Sequence, residues 1–183
     1  MVTYSQYIEK VKSEGFRPCV IAAMVCNGLI GLSRSNKYPG YEFLQGGINY
    51  GETPIEAIER ETIEELGFWF HKECNFPPKR NQFLFEDQLE MKVKEPVMSD
   101  KGSIKARGKH YLVYALEIEP TNQKLPGINP DDFKFQGTTV KFHEQKWVTR
   151  NEAMQLIQKI ANPKKKEIAK RAIEMLADLG YCS

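Results

Sequence analysis

The chain has 183 residues, 41% apolar, 11% aromatic and 27% charged, a composition that excludes disordered, collagenous and low-complexity classes. At that length folding removes roughly 70% of the unfolded chain's accessible surface, enough for one hydrophobic core and a single domain over residues 1–183. The 26 basic and 24 acidic side chains leave a net charge of +2, which excludes a strongly cationic nucleic-acid coat and leaves room for local basic patches.

The opening MVTYSQYIEKVKSEG carries charges where a secretory signal needs an apolar core, and no apolar run approaches the length of a membrane span. The expectation is a cytoplasmic protein with no membrane partner. Cys19, Cys26, Cys74 and Cys182 lack the CxxC spacing of a zinc site and read as reduced thiols. A metal site drawn from His71, Cys74 and nearby acids is discarded, because a lone HxxC is weak as a ligand motif.

In chain order, TYSQ has capping-box spacing, and Tyr4, Tyr7, Ile8 and Val11 follow at helical intervals, so a short amphipathic helix is expected to end near Gly15. Residues 17–26 and 29–32 flank Asn27-Gly28 and read as a tight β-hairpin. YEFL, 41–44, reads as a short strand, and Gln45, Gly46, Gly47 and Gly51 as loop. A helix over 54–66 has unusually full punctuation, with Thr53 as N-cap, Pro54 at the first position, Glu56 completing a capping box and Gly67 as terminator. Strands are expected at 82–90, 110–118 and 140–148, with a long polar stretch after the first of them. Thr149 and Glu152 open a further helix, and Pro163 divides the C-terminal part into two. Strands and helices in one unit define an α/β domain with additional helices at both ends.

The helix over 54–66 places Glu61, Glu64 and Glu65 at i, i+3 and i+4, within one sector of its surface, beside an apolar sector of Ile55, Ile58, Thr62 and Leu66. Clustered acids repel, and two of them lie near the helix C-terminus, where the macrodipole disfavours anions. Arg60 can offset part of that charge through Glu64 at i+4; a divalent cation offsets it directly, and Mg²⁺ suits a few carboxylates combined with substrate phosphates. Trp69 and Trp147 read as core residues.

The whole segment resembles the Nudix box: Gly46, Glu52, Arg60, Glu61, Thr62, Ile63, Glu64, Glu65, Leu66, Gly67 and Phe68 match its fixed positions, with Thr62 where an aliphatic residue is usual. The resemblance implies an α/β/α sandwich around a mixed sheet and a Mg²⁺- or Mn²⁺-dependent pyrophosphohydrolase with its box at 46–68. It implies Glu61, Glu64 and Glu65 as metal ligands, Gly46 as a carbonyl ligand and Arg60 as the residue that orients the glutamates. Such chemistry needs in-line water and neutralised phosphate charge more than a covalent nucleophile.

A narrower resemblance covers GFRPCV (15–20), FLQGGI (43–48) and KWV (146–148), which are similar to YRPNVG, FPQGGI and RWV of bacterial RNA pyrophosphohydrolases and asymmetric dinucleoside tetraphosphate hydrolases. It implies that Arg17 and Gln45 face phosphates or metal and that Arg34 reaches the nucleotide. Leu44 stands where those proteins have proline, Cys19 and Ile21 alter the first motif, and Lys141 replaces a further glutamate. Glu144, three residues on, would face the opposite side of a strand, so its role stays open. The substrate implied is the 5′-polyphosphate of RNA or a dinucleoside polyphosphate. The alternatives are free nucleoside triphosphates or nucleotide sugars, or a catalytically silent module that binds nucleotide or RNA.

Lys101, Lys105, Arg107, Lys109 and His110 form a basic group that borders the long polar stretch, and nearby Tyr111 is a candidate to stack a base. A second group, Lys164, Lys165, Lys166, Lys170 and Arg171, reads as the solvated face of a helix whose Ile168, Ala172, Met175 and Leu179 face inward.

Overall fold

A computed structural model describes residues 4–35, 39–90, 106–122, 124–128 and 142–183. Among the described residues six strands, β1 (Phe16–Cys26), β2 (Leu29–Ser35), β3 (Leu44–Gly47), β4 (Arg80–Glu90), β5 (Gly108–Glu117) and β6 (Phe142–Val148), form one mixed sheet. Its order is β4-β5-β1-β2-β6, and β3 pairs with β1 beside that path. The helices are α1 (Tyr4–Ser13), α2 (Pro54–Leu66), α3 (Phe68–Glu73), α4 (Arg150–Leu156) and α5 (Pro163–Asp178), with a 3₁₀ turn at Ile157–Lys159.

β1 organises the molecule because it is apolar on both faces, as a central strand covered on two sides requires. Cys19, Ile21, Ala23 and Val25 pack on Ile157, Ile168, Ile173 and Leu176 of the C-terminal helices. The alternate residues Val20, Ala22, Met24 and Cys26 pack on Ile8 of α1, Ala57, Ile58 and Leu66 of α2, and Phe70 of α3. Two core clusters, where the chain length alone suggested one, therefore cover the two faces of one sheet, the layering of the expected sandwich. Full burial of a side chain such as Ile58 or Leu66 contributes roughly 1.5–3 kcal/mol, which fixes α2 against the sheet.

Asn27 (φ 51°) and Gly28 (φ 76°) form the two-residue turn between β1 and β2, the positive-φ pair that matches strand twist in a type I′ hairpin. β1 pairs with β2 only at Val25–Ile30 and Cys26–Leu29. The rest of that edge takes β3, from Cys19–Gly47 to Ala22–Leu44, while β5 runs parallel along the opposite edge. The expected strand at 41–44 is thus displaced: Glu42 forms only an isolated bridge to Ser33, and the regular ladder lies over Leu44–Gly47. The apolar edge of β1 overrides the poor strand propensity of Gly46 and Gly47.

Thr53 caps α2 with both halves of the capping box formed, and Gly67, at φ 99°, ends it. α3, absent from the sequence reading, begins directly after Gly67. It turns Phe70 fully inward and leaves Trp69 46% exposed, so Trp69 is not a core residue. Trp147 is half-buried, stacked on Phe70, with its indole N–H donating to the Pro126 carbonyl at 2.6 Å. On α5 the buried stripe is Ile168, Ala169, Ala172, Ile173 and Leu176, with Met175 and Leu179 partly buried at its margin. All four cysteines are buried and free. No helix among the described residues is long and apolar enough to cross a membrane.

Candidate active site

Arg60 is the hub of the loop and helix that carry the acids. Its Nε and Nη2 fork onto Glu52 at 2.7 and 3.1 Å, Nη1 donates to Glu61 at 2.8 Å and to Glu64 at 3.1 Å, and Nη2 also reaches the Gly47 carbonyl at 2.6 Å. One planar guanidinium thereby joins α2, the loop before it and β3, a geometry that only arginine's rigid fork offers. Glu52 accepts further bonds from the Asn49 backbone N–H and side-chain amide. Arg60 above all, with Asn49, holds the Glu52 carboxyl down to about 2, so it is ionised at neutral pH.

Glu61 and Glu65 are 92% removed from solvent and Glu64 is exposed. A β-carbon on Gly46 would overlap the Glu61 carboxyl group, so the carboxyl lies directly against the backbone of β3. Thr62 is fully buried and its hydroxyl donates to the Ile58 carbonyl at 2.7 Å, which satisfies the polar atom at that apolar position. The contact at Gly46 brings β3 onto the acidic face of α2. Among the described residues no three His, Cys, Asp or Glu side chains are already gathered around a common point, because Arg60 engages Glu61 and Glu64 instead.

On the other face of β3, the Arg17 guanidinium packs over Gly47, and Arg17 is registered beside Lys109 across β1 and β5. Gln45 is buried; its Oε1 accepts from the Tyr111 hydroxyl at 3.0 Å and its Nε2 donates to Glu42 at 2.6 Å. Burial pushes the Cys19 thiol up, and the positive charges of Lys109, Arg17 and Lys165 offset part of that rise.

Arg34 lies in β2 and pairs with Glu144 of β6 at 2.5 Å. It also stacks over Tyr41, and Lys146 lies over the same ring and 3.5 Å from Glu144. The Tyr41 hydroxyl leads in lowering the Glu144 carboxyl below its ordinary range, helped by Arg34 and Lys146. The structure therefore brings Gly46, Arg60, Glu61 and Glu64 together, sets Arg17 and Gln45 across β3, and holds Arg34 and Glu144 in a separate ion pair. Lys141, Lys101 and Lys105 lie outside the described residues.

Two expectations for the basic groups are corrected. Tyr111 is fully buried and cannot stack a base, and His110 is buried between Gln88 and Glu86 instead of forming part of a solvated patch. Lys164 and Lys165 are tied to Asp87 and Glu42, each at 3.0 Å, so the N-terminal end of α5 is not a plain solvated face. The role of Glu42 escaped the sequence reading, since its partner lies 123 positions away. His71 pairs with Glu59 at 2.8 Å while Cys74 is fully buried.

With this loop–helix–strand arrangement in place, the chain belongs to the NUDIX domain family, whose model matches residues 15–172. Over 58 residues, 31% of this chain, it is 43% identical to RNA pyrophosphohydrolases of Xanthomonas oryzae pv. oryzae and Acinetobacter baylyi, covering 28% and 35% of those proteins. The chain thus aligns with about a third or less of the length of the curated relatives it matches. A solved ADP compounds hydrolase is similar in fold, with a TM-score of 0.55 and 18% identity over 90% of this chain and 75% of that one. The E. coli dihydroneopterin triphosphate pyrophosphohydrolase has a TM-score of 0.53 and 13% identity, over 90% of this chain and 99% of its own.

Proposed function

We propose that residues 1–183 act as one pyrophosphohydrolase unit that cleaves the 5′-polyphosphate of RNA or a dinucleoside polyphosphate. The observation that carries this reading is the Arg60 fork, which binds Glu52, Glu61, Glu64 and the Gly47 carbonyl and so assembles the box into one rigid loop–helix unit. The stretches shared with RNA pyrophosphohydrolases support the substrate class.

Nudix hydrolases generally use Mg²⁺ or Mn²⁺. The donors here fit such a hard cation: two nearly buried carboxylates, Glu61 and Glu65, the exposed Glu64, and the backbone of Gly46 in contact with Glu61. Glu61, Glu64, Glu65 and the Gly46 carbonyl would hold it. The bound metal supplies positive charge against the phosphate oxygens and activates water. Arg60 orients Glu61 and Glu64, and Glu52 keeps Arg60 in place. Arg17 and Lys109, at the end of β1 and β5, supply fixed positive charge for phosphates on the strand side, and Gln45 holds the β3 edge through Tyr111. Water attacks one phosphorus of the anhydride and releases a proton to the solvent, the bridging P–O bond breaks, and the leaving phosphate carries away the electron pair.

The test is to incubate the protein and Mg²⁺ with triphosphorylated RNA, diadenosine tetraphosphate, free nucleoside triphosphates and a nucleotide sugar, and to resolve products by chromatography. Cleavage of the first two above the others supports the reading. Preference for free nucleotides or nucleotide sugars selects the alternative enzyme class, and binding without turnover selects a silent module.

A further inference from the structure

The loop between β3 and α2 closes as a turn, with the Glu52 N–H donating to the Asn49 carbonyl at 3.2 Å and Gly51, at φ 85°, in the third position, the pattern of a type II turn. The second position of such a turn suits proline, whose ring presets φ, yet here it carries Tyr50. That side chain is 75% exposed, more than any other large apolar one among the described residues, so packing gives no reason for an aromatic ring there. A β-carbon on the neighbouring Gly51 would meet nothing within 4 Å, so the surface beside the ring is open. From α1 the Lys12 ammonium, 4.0 Å from Glu9 on its own helix, lies over the ring at 5.7 Å from its centroid. Ile8 of α1 shares one core with Ala57 and Ile58 of α2, so Lys12 and the ring beneath it stand on the same face of the sheet as the acidic helix. The Asn49 N–H holds Glu52 Oε2 at 2.8 Å, Arg60 Nη2 binds the same oxygen at 3.1 Å, and Arg60 Nη1 reaches Glu61 at 2.8 Å and Glu64 at 3.1 Å. That run of bonded atoms keeps the Tyr50 Cα within about 16 Å of either carboxylate, a gap that an extended base, ribose and polyphosphate bridges.

We propose that Tyr50 is the stacking platform for the nucleobase attached to the polyphosphate, and that α1 completes it by placing Lys12 against the same ring. The inference rests on the proposed function and deepens it, since carboxylates and a cation recognise phosphate alone and leave the attached group to be read elsewhere. A phenol ring offers a flat apolar face to any base, which suits a surface that binds bases by stacking. Attraction between the Lys12 ammonium and the π face steadies the ring. Arg60 and Asn49 lock Glu52, so the turn presents Tyr50 from a rigid mount and little freedom is lost when a base settles on it. A polyphosphate without a base gains nothing from this surface, so Tyr50 separates nucleotides from base-free anhydrides.

The test compares two ligands that share a triphosphate, adenosine triphosphate and inorganic tripolyphosphate, titrated calorimetrically into metal-free protein, with thermal melts of each variant as a folding control. Tyr50→Ala should weaken the nucleotide at least about tenfold and leave tripolyphosphate within about twofold, while Tyr50→Trp restores nucleotide binding. Lys12→Met should weaken the nucleotide about two- to fivefold. With Mg²⁺, KM for 5′-triphosphorylated RNA or for diadenosine tetraphosphate should rise in Tyr50→Ala at constant kcat and return in Tyr50→Trp. Whichever source moves is the one that seats a base on the ring. Equal losses for the nucleotide and tripolyphosphate would assign Tyr50 to the shape of the loop and overturn the inference. Unchanged nucleotide affinity or unchanged KM for both substrates in Tyr50→Ala, no recovery in Tyr50→Trp, or no nucleotide binding by the unaltered protein overturn it as well. Nucleotide affinity that depends on Tyr50 in a protein that hydrolyses none of these anhydrides overturns the proposed activity and leaves the platform standing.

Discussion

A methyl group at residue 46 would occupy the space that the Glu61 carboxyl fills. Gly46→Ala is therefore expected to push Glu61 off the β3 backbone, costing about 1–3 kcal/mol of stability through overpacking and cutting turnover at least about a hundredfold through misplacement of a charged ligand. Steady-state rates and a melting curve measured together check this; loss of stability with full activity would remove Gly46 from the site. Glu65 differs from Glu64 in being nearly buried, so the two substitutions carry different information. Glu64→Gln and Glu65→Gln preserve volume and remove charge, and each should lower kcat at least about a hundredfold with the far-ultraviolet circular dichroism unchanged. A near-native rate at saturating Mg²⁺ in either variant would discard that residue as a ligand.

At the level of elements, the loop before α2 and the helix itself are held by the Arg60–Glu52 fork, and the stability it supplies depends on pH. The folded Glu52 carboxyl lies at about 2 against an ordinary 4.5. A depressed carboxyl stabilises the fold above its unfolded value and loses that contribution as pH falls through the folded one. Glu52→Gln should accordingly destabilise at pH 7, by an upper limit of about 3 kcal/mol, and the difference from the unaltered protein should shrink between pH 4.5 and 2. Urea unfolding midpoints across that range measure it, and a difference that does not vary with pH would assign the loss to packing. The same elements show what was legible in advance. The hairpin at Asn27-Gly28 and the limits of α2 follow from local backbone chemistry, which a sequence states directly. β3 did not follow, because its glycines form a ladder only where β1 offers an edge, and those glycines are there to admit Glu61 and Arg17. Trp69 and Tyr111 were misplaced for the related reason that burial is set by the partner surface and not by the side chain alone. The Glu61, Glu64, Glu65 grouping was readable from helical spacing, whereas the Glu42–Lys165 link joins residues far apart in sequence and is visible only in the fold.

The whole molecule couples its acidic helix to global stability, because α2 packs on the same β1 strand that anchors α4 and α5 from the other side. Charge repulsion on α2 is therefore borne by the entire cooperative unit, and a cation that binds only the folded arrangement stabilises all of it by mass action. At about a hundred times its dissociation constant, a single metal ion contributes about 2.7 kcal/mol. For a domain of this size each kcal/mol moves the transition by about 2–4 °C, so Mg²⁺ or Mn²⁺ should raise Tm by roughly 5–10 °C relative to KCl of equal ionic strength. Glu65→Gln should remove most of that shift while leaving the metal-free Tm equal or slightly higher, since one repulsive charge is gone. Differential scanning calorimetry with and without each ion provides the measurement, independent of any substrate. No shift in the unaltered protein, or an undiminished shift in Glu65→Gln, would show that the cation's charge is not taken up by this helix.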